Sequence, residues 1–128
     1  MAGVLYVVPN LLGAVAPDRV LPLRTIETAR RLASWVVETP KAARAFLKSL
    51  APTRPIAELA IAALPRGGDT QDFASVIATL RHGEDVGLLS DAGCPGIADP
   101  GAALVAAAHR SGVRVVPLVG PSAILLAL

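Results

Sequence analysis

The chain has 128 residues, 53% of them apolar, and its 12 Lys and Arg against 10 Asp and Glu give a formal net charge of +2. That length suits one domain with a real core, and the charge is too mild for a dedicated nucleic-acid binder while permitting contact with RNA. A single cysteine excludes an internal disulfide and offers no metal cluster, which fits a reducing cytoplasm and leaves no metal expected. No apolar run reaches membrane-spanning length without Gly, Pro or charge, and the first residues lack a positive leader, so neither a membrane nor a targeting segment is expected.

Val4–Val8 is a short apolar run closed by Pro9-Asn10, the pattern of a buried strand, with a loop running through Gly13 to about Pro17. Leu23, Ile26 and Ala29 then fall at helical spacing. Ser34–Glu38 predicts a second strand, and Thr39-Pro40 opens a helix in which Ala43, Phe46, Leu47 and Leu50 share one stripe while Lys41, Arg44 and Lys48 share another. Arg54–Leu64 is Ala-rich text that suits either period, and its place between a helix and the Gly67-Gly68 loop favours a strand. Asp69 or Thr70 caps a helix carrying Phe73, Val76, Ile77 and Leu80 at i, i+3, i+4 and i+7, and Gly83 stops it. Val86–Ser90 is a strand, Gly101–Ser111 a helix ended by Gly112, Val113–Leu118 the last strand, and Gly120-Pro121 opens a further helix.

Strands alternating with helices predict a doubly wound α/β domain, with a mainly parallel sheet covered on both faces. In such sheets ligands bind beyond the carboxyl ends of the strands. That rule nominates Pro9 to Gly13, Glu38 to Lys41, Asp91 to Ala98 and Gly120 to Ala123. It also assigns His82 and His109, in the last turns of their helices, to the opposite edge as solvated side chains.

Leu89–Gly101 holds three glycines, two prolines and two aspartates between an apolar run and an Ala-rich helix. Glycines let the backbone approach a ligand, prolines fix the turn, and Asp99-Pro100 reads as N-cap and first helical residue. Together with Gly120-Pro121-Ser122-Ala123 this text resembles the tetrapyrrole methylase superfamily, on the branch of the small-subunit ribosomal RNA (cytidine 2′-O) methyltransferases, over Leu88–Pro100 and Val115–Ala123. The resemblance covers the first of that family's two α/β domains. It implies a five-stranded N-terminal domain over residues 1–128, a second domain outside this chain, S-adenosylmethionine in the cleft between the two, and a homodimer.

Carried onto this sequence, the resemblance implies that Ser90, Asp91, Ala92 and Gly93 form the cofactor loop, that Ile97 and Ala98 continue its wall, and that Ser122 and Ala123 approach the cofactor from the Gly-Pro-Ser turn. Tight turns and caps alone would not need this run of glycines. The first loop, Pro9-Asn10-Leu11-Leu12-Gly13-Ala14, keeps the proline and one glycine of the family's Thr-Pro-Ile-Gly-Asn and lacks the final asparagine. It also lacks the multi-glycine loop of the tetrapyrrole enzymes, leaving Pro9 and Gly13 as its cofactor candidates. The family's Glu-Asp-Thr-Arg becomes Glu38-Thr39-Pro40-Lys41, which loses one acid and the bidentate fork of arginine. Arg44 matches a basic family position, so Lys41 and Arg44 are the substrate-phosphate candidates, with Lys48 read as solvated helix face.

Methyl transfer from a sulfonium asks mainly for alignment and dehydration of the reactants, which suits glycines and prolines rather than an acid, base and metal constellation. A ribose hydroxyl acceptor must still lose its proton. Glu38, at a strand tip, is the first candidate to take it, its alternative role being to cap the following helix, and Asp91 is the second candidate. Cys94 has no histidine at this edge to activate it. The expected function is an S-adenosylmethionine-dependent methyltransferase, most like the rRNA 2′-O type and incomplete as an enzyme on its own. A tetrapyrrole or small-molecule methylase and a non-catalytic binding or assembly module are the alternatives. An NAD-binding domain is disfavoured because no G-x-G-x-x-G follows the first strand.

Overall fold

The structure, a computed structural model, describes residues 2–8, 23–50, 53–64, 73–89 and 100–118. In chain order the elements are β1 (Val4–Val8), α1 (Leu23–Arg31), β2 (Ser34–Val37), α2 (Pro40–Ser49), a single 3₁₀ turn (Ile56–Glu58), β3 (Ala60–Ala63), α3 (Ala74–Arg81), β4 (Val86–Leu89), α4 (Pro100–Arg110) and β5 (Arg114–Pro117). The strands form one five-stranded sheet in the order β3-β2-β4-β1-β5, and every pair is parallel.

Side-chain alternation along these strands sorts the interior into two layers. With Leu5 opposite Val86 and Val7 opposite Leu88, those four residues and Val36 point to one face, where Leu80 of α3 and Leu104, Ala107 and Ala108 of α4 close over them. Val8, Val37, Leu89 and Trp35 point to the other face, against Ala29 and Leu32 at the end of α1 and Ala43, Phe46, Leu47 and Leu50 on α2. This division follows from handedness. The connections through α1 and α2 step toward β3 and those through α3 and α4 step toward β5, and right-handed crossovers moving in opposite directions lie on opposite faces.

Two glycine features set local geometry. Gly87 is in register with Tyr6 on one side and Trp35 on the other. A Cβ built there would sit 2.5 Å from Cζ3 and 2.6 Å from Cε3 of Trp35, so only glycine lets the buried indole lie across β4. The indole Nε1 donates to the Leu32 carbonyl at 3.3 Å, which meets the ring's one polar requirement. Gly83 and Gly112 have φ of 99° and 75° and terminate α3 and α4, as the sequence predicts.

The stretch Arg54–Leu64 departs from the expected strand. Pro55 precedes a 3₁₀ turn, closed by Glu58 N–H to the Pro55 carbonyl at 2.9 Å, and pairing with β2 covers only Ala60–Ala63. A fixed proline φ followed by a local turn shortens the strand. Ala60, Ala62 and Ala63 are exposed, so coverage of both sheet faces stops short of this edge. β2 ends one residue before its predicted limit, at Val37, and the predicted last residue of β4, Ser90, lies outside the described residues. The loop to Pro17, the caps Asp69, Thr70 and Asp99, and the helix opened by Gly120-Pro121 lie outside the described residues.

Candidate functional site

β1 and β4 are neighbours, and the chain leaves them toward opposite faces, through α1 after β1 and α4 after β4. That is a topological switch point, where the diverging connections open a crevice beyond the carboxyl ends of the strands. The roots of the expected ligand loops are tied together there. Val8 is in register with Leu89, the Glu38 N–H donates to the Leu89 carbonyl at 3.1 Å, and the Leu118 N–H donates to the Val7 carbonyl at 2.9 Å. The segments after residues 8, 37, 89 and 118 therefore start side by side along β2, β4, β1 and β5, a span of about 15 Å at the usual strand spacing.

Of the predicted site residues the structure describes Glu38, Lys41 and Arg44. Glu38 is half-buried at the tip of β2, directly beside the last residue of β4. It does not cap α2. Thr39 holds the N-cap position with an extended backbone, Pro40 follows as the first helical residue, and the Ala43 N–H donates to the Thr39 carbonyl at 3.0 Å. Lys41 and Arg44 are exposed on the first turns of α2, at the rim, and Lys48 is exposed further down the same helix. Pro9, Gly13, Ser90, Asp91, Ala92, Gly93, Cys94, Ile97, Ala98, Ser122 and Ala123 lie outside the described residues. His82, which caps the end of α3, and His109 in the last turn of α4 are exposed at the opposite edge, as expected.

Two features escape reading along the sequence. A polar pit of about 310 Å³ opens at the amino-terminal edge of the sheet, lined by residues that include Thr28, Arg31, Arg54, Glu84 and Asp85. There Asp85 Oδ1 accepts the Val4 N–H at 2.8 Å and Glu84 Oε2 accepts the Ser34 hydroxyl at 2.9 Å. These residues come from separate segments, so no local pattern announces them. An apolar groove of about 270 Å³ runs beside the edge strand, lined by residues that include Val36, Ala60, Ala62, Val76 and Thr79. Among the described residues no group of three or more His, Cys, Asp or Glu is placed to hold a metal, and no helix is long and apolar enough to cross a membrane.

No family model matches the chain. Individual relatives do. It is 31% identical over 122 residues to the ribosomal RNA small subunit methyltransferase I of Leptospira biflexa, an alignment covering 95% of this chain and 48% of that protein. It is 34% identical over 127 residues to the Pseudomonas aeruginosa protein of the same name, covering 99% of this chain and 42% of the other. A Mesorhizobium japonicum protein, again of that name, is 55% identical over 53 residues, which cover 41% of this chain and 18% of that one. Among solved structures, a uroporphyrin-III-C-methyltransferase from Thermus thermophilus superposes with a TM-score of 0.58 at 22% identity, over 99% of this chain and 53% of the other, which establishes the shared fold. The chain thus spans about half the length of the curated relatives or less.

Proposed function

The chain belongs to the tetrapyrrole methylase superfamily, and from that premise we propose that it is the N-terminal, cofactor-side α/β domain of an S-adenosylmethionine-dependent methyltransferase acting on small-subunit ribosomal RNA. The observation that carries the reading is the bond from Glu38 N–H to the Leu89 carbonyl. It supports the reading by holding the main chain of Glu38 against Leu89, the residue from which the glycine-rich segment follows in sequence.

The switch point supports the cofactor reading, because in open parallel sheets ligands bind in the crevice beyond the strand ends at such a point. The residues that would hold the cofactor are Pro9, Gly13, Ser90, Asp91, Ala92, Gly93, Ile97, Ala98, Ser122 and Ala123. S-adenosylmethionine supplies a methyl group on a sulfonium with a neutral leaving group. The chain's contribution is then to orient the acceptor and take its proton. Glu38 is the leading base for a ribose hydroxyl, Asp91 the second, and Lys41 and Arg44 hold the flanking phosphates at the rim. A second α/β domain would close the cleft, so this chain alone is an incomplete transferase.

The same reading carries a cytoplasmic location and a homodimer, with the exposed edge at β3 available for assembly. Light scattering tests the dimer, and a strict monomer counts against it. Calorimetric titration with S-adenosylhomocysteine tests the cofactor assignment, with one bound ligand per chain expected. Binding only to a longer protein that carries the second domain would mark this chain as an incomplete enzyme, and absence of binding with either would overturn the assignment and leave a non-catalytic module with the same fold.

A further inference from the structure

The charge on the two helical layers is distributed very differently. α1 and α2 together carry Arg24, Arg30, Arg31, Lys41, Arg44 and Lys48 against one acid, Glu27. α3 and α4 carry Arg81 and Arg110, both in last turns, where a cation complements the helix dipole.

The same explanation covers Arg30, Arg31 and Lys48, which lie in last turns, and fails for Arg24 and Lys41. Arg24 and Lys41 each stand second in their helices, at the positive end of the dipole, with no acidic residue in either first turn. Cations in that position destabilise a helix. Arg24, Arg31, Lys41, Arg44, Lys48 and Arg54 are all exposed, so burial does not explain them either. Two cations kept where the local fold disfavours them, on a helical layer whose other cations are mostly exposed and outnumber its one acid, point to an external anionic partner.

Their layout is linear. From Lys41 through Arg44 to Lys48 the cations descend about 10 Å along α2, and α1 shares one apolar cluster with α2, which holds the two helices close. Separations on that scale are close to the Debye length of about 8 Å at physiological salt, so neighbouring charges act on one polyanion together. Both helices begin at the rim where the carboxyl ends of the strands lie and end at the opposite edge, near Arg54. The exposed positions between the α2 cations include Ala42, Ala45 and Ser49, with no large apolar side chain to insert into a lipid interface.

We infer that the outer surface of α1 and α2 is a track for the phosphate backbone of RNA, entered from the rim at Arg24, Lys41 and Arg44 and continued to Arg31, Lys48 and Arg54. This rests on the RNA reading above and extends it from the rim to a whole helical layer. RNA approaching the methyl donor lies along this layer, and the α3/α4 layer stays free of it.

Fluorescence anisotropy with a labelled single-stranded segment of small-subunit rRNA, between 50 and 200 mM salt, tests it on the full chain. The triple variant R24Q/R31Q/K48Q spares the rim residues Lys41 and Arg44. It is expected to weaken binding at least tenfold at the lowest salt and to reduce the slope of log K against log salt by about 2, at about 0.7 per lost phosphate contact. The matched triple R81Q/R110Q/R114Q is expected to bind as the parent does. Equal losses in both triples, no loss in the first, or a preference for phosphatidylserine vesicles over RNA would each overturn the track. S-adenosylhomocysteine titrations on the same proteins separate the two levels, because intact cofactor binding with no RNA affinity sinks the track and the RNA acceptor while leaving the methyltransferase assignment standing.

Discussion

The two faces of one parallel sheet are built to different rules in this molecule. The α3/α4 layer is closed mainly by leucines and alanines, with Leu80, Leu104 and Ala108 fully buried beside one aromatic, Phe73, and its helices carry few charges. The α1/α2 layer is anchored by aromatic bulk, with Trp35 lying over Gly87 and Phe46 beside it in the same cluster, and its solvent side carries most of the helical cations. A small-residue layer packs by close approach, and an aromatic one needs a glycine gap in the strand beneath it. The second arrangement concentrates stability at one contact and leaves the outer helix surfaces available for charge.

Substitutions separate the two layers by size of effect. Trp35→Ala should cost about 3–5 kcal/mol in urea unfolding, and Leu104→Ala on the other layer about 2–4 kcal/mol. A reversed order would break the claim that the aromatic layer concentrates the stability. Glu38→Gln should leave stability unchanged and reduce methyl transfer to small-subunit rRNA, measured with the chain in its complete enzyme, by about 10²-fold. Retention of full activity would remove Glu38 as the base. Gly87→Ala should cost about 1–3 kcal/mol through its clash with the indole, and the cost should shrink in a Trp35→Leu background. An undiminished cost there would mean that the indole is not the reason for the glycine. The smallest effect has an unusual sign: Arg24→Gln and Lys41→Gln should each raise stability by about 0.3–1 kcal/mol, because each removes a cation from the positive end of a helix dipole. Thermal melts at low salt would show it.

Much of this architecture was legible from the sequence. Apolar runs closed by turn residues marked four of the five strands, and the stripe of Ala43, Phe46, Leu47 and Leu50 is the buried side of α2 and its C-cap, with Lys41, Arg44 and Lys48 outside. Arg54–Leu64 was harder, since Ala-rich text carries no clear period and Pro55 diverts the first part into a turn. Strand order is set by which crossover passes beneath which strand, and local text does not encode it. The same limit hid the Trp35–Gly87 contact and the polar pit, which join residues far apart in the chain. At the site, the proximity of Glu38 to the end of β4 followed from the general rule for open parallel sheets, while the N-cap position of Thr39 required the observed backbone.

The placement of the methyl donor is tested most directly by following backbone amide NMR shifts while S-adenosylhomocysteine is titrated into the chain. Shifts concentrated at Val8, Glu38, Leu89 and Leu118 and in the segments that follow them are expected. Amides that stay still even when the second domain is joined to the chain, or that move instead around Glu84, Asp85 and Arg54 at the opposite edge, would contradict a cofactor site at the switch point between β1 and β4.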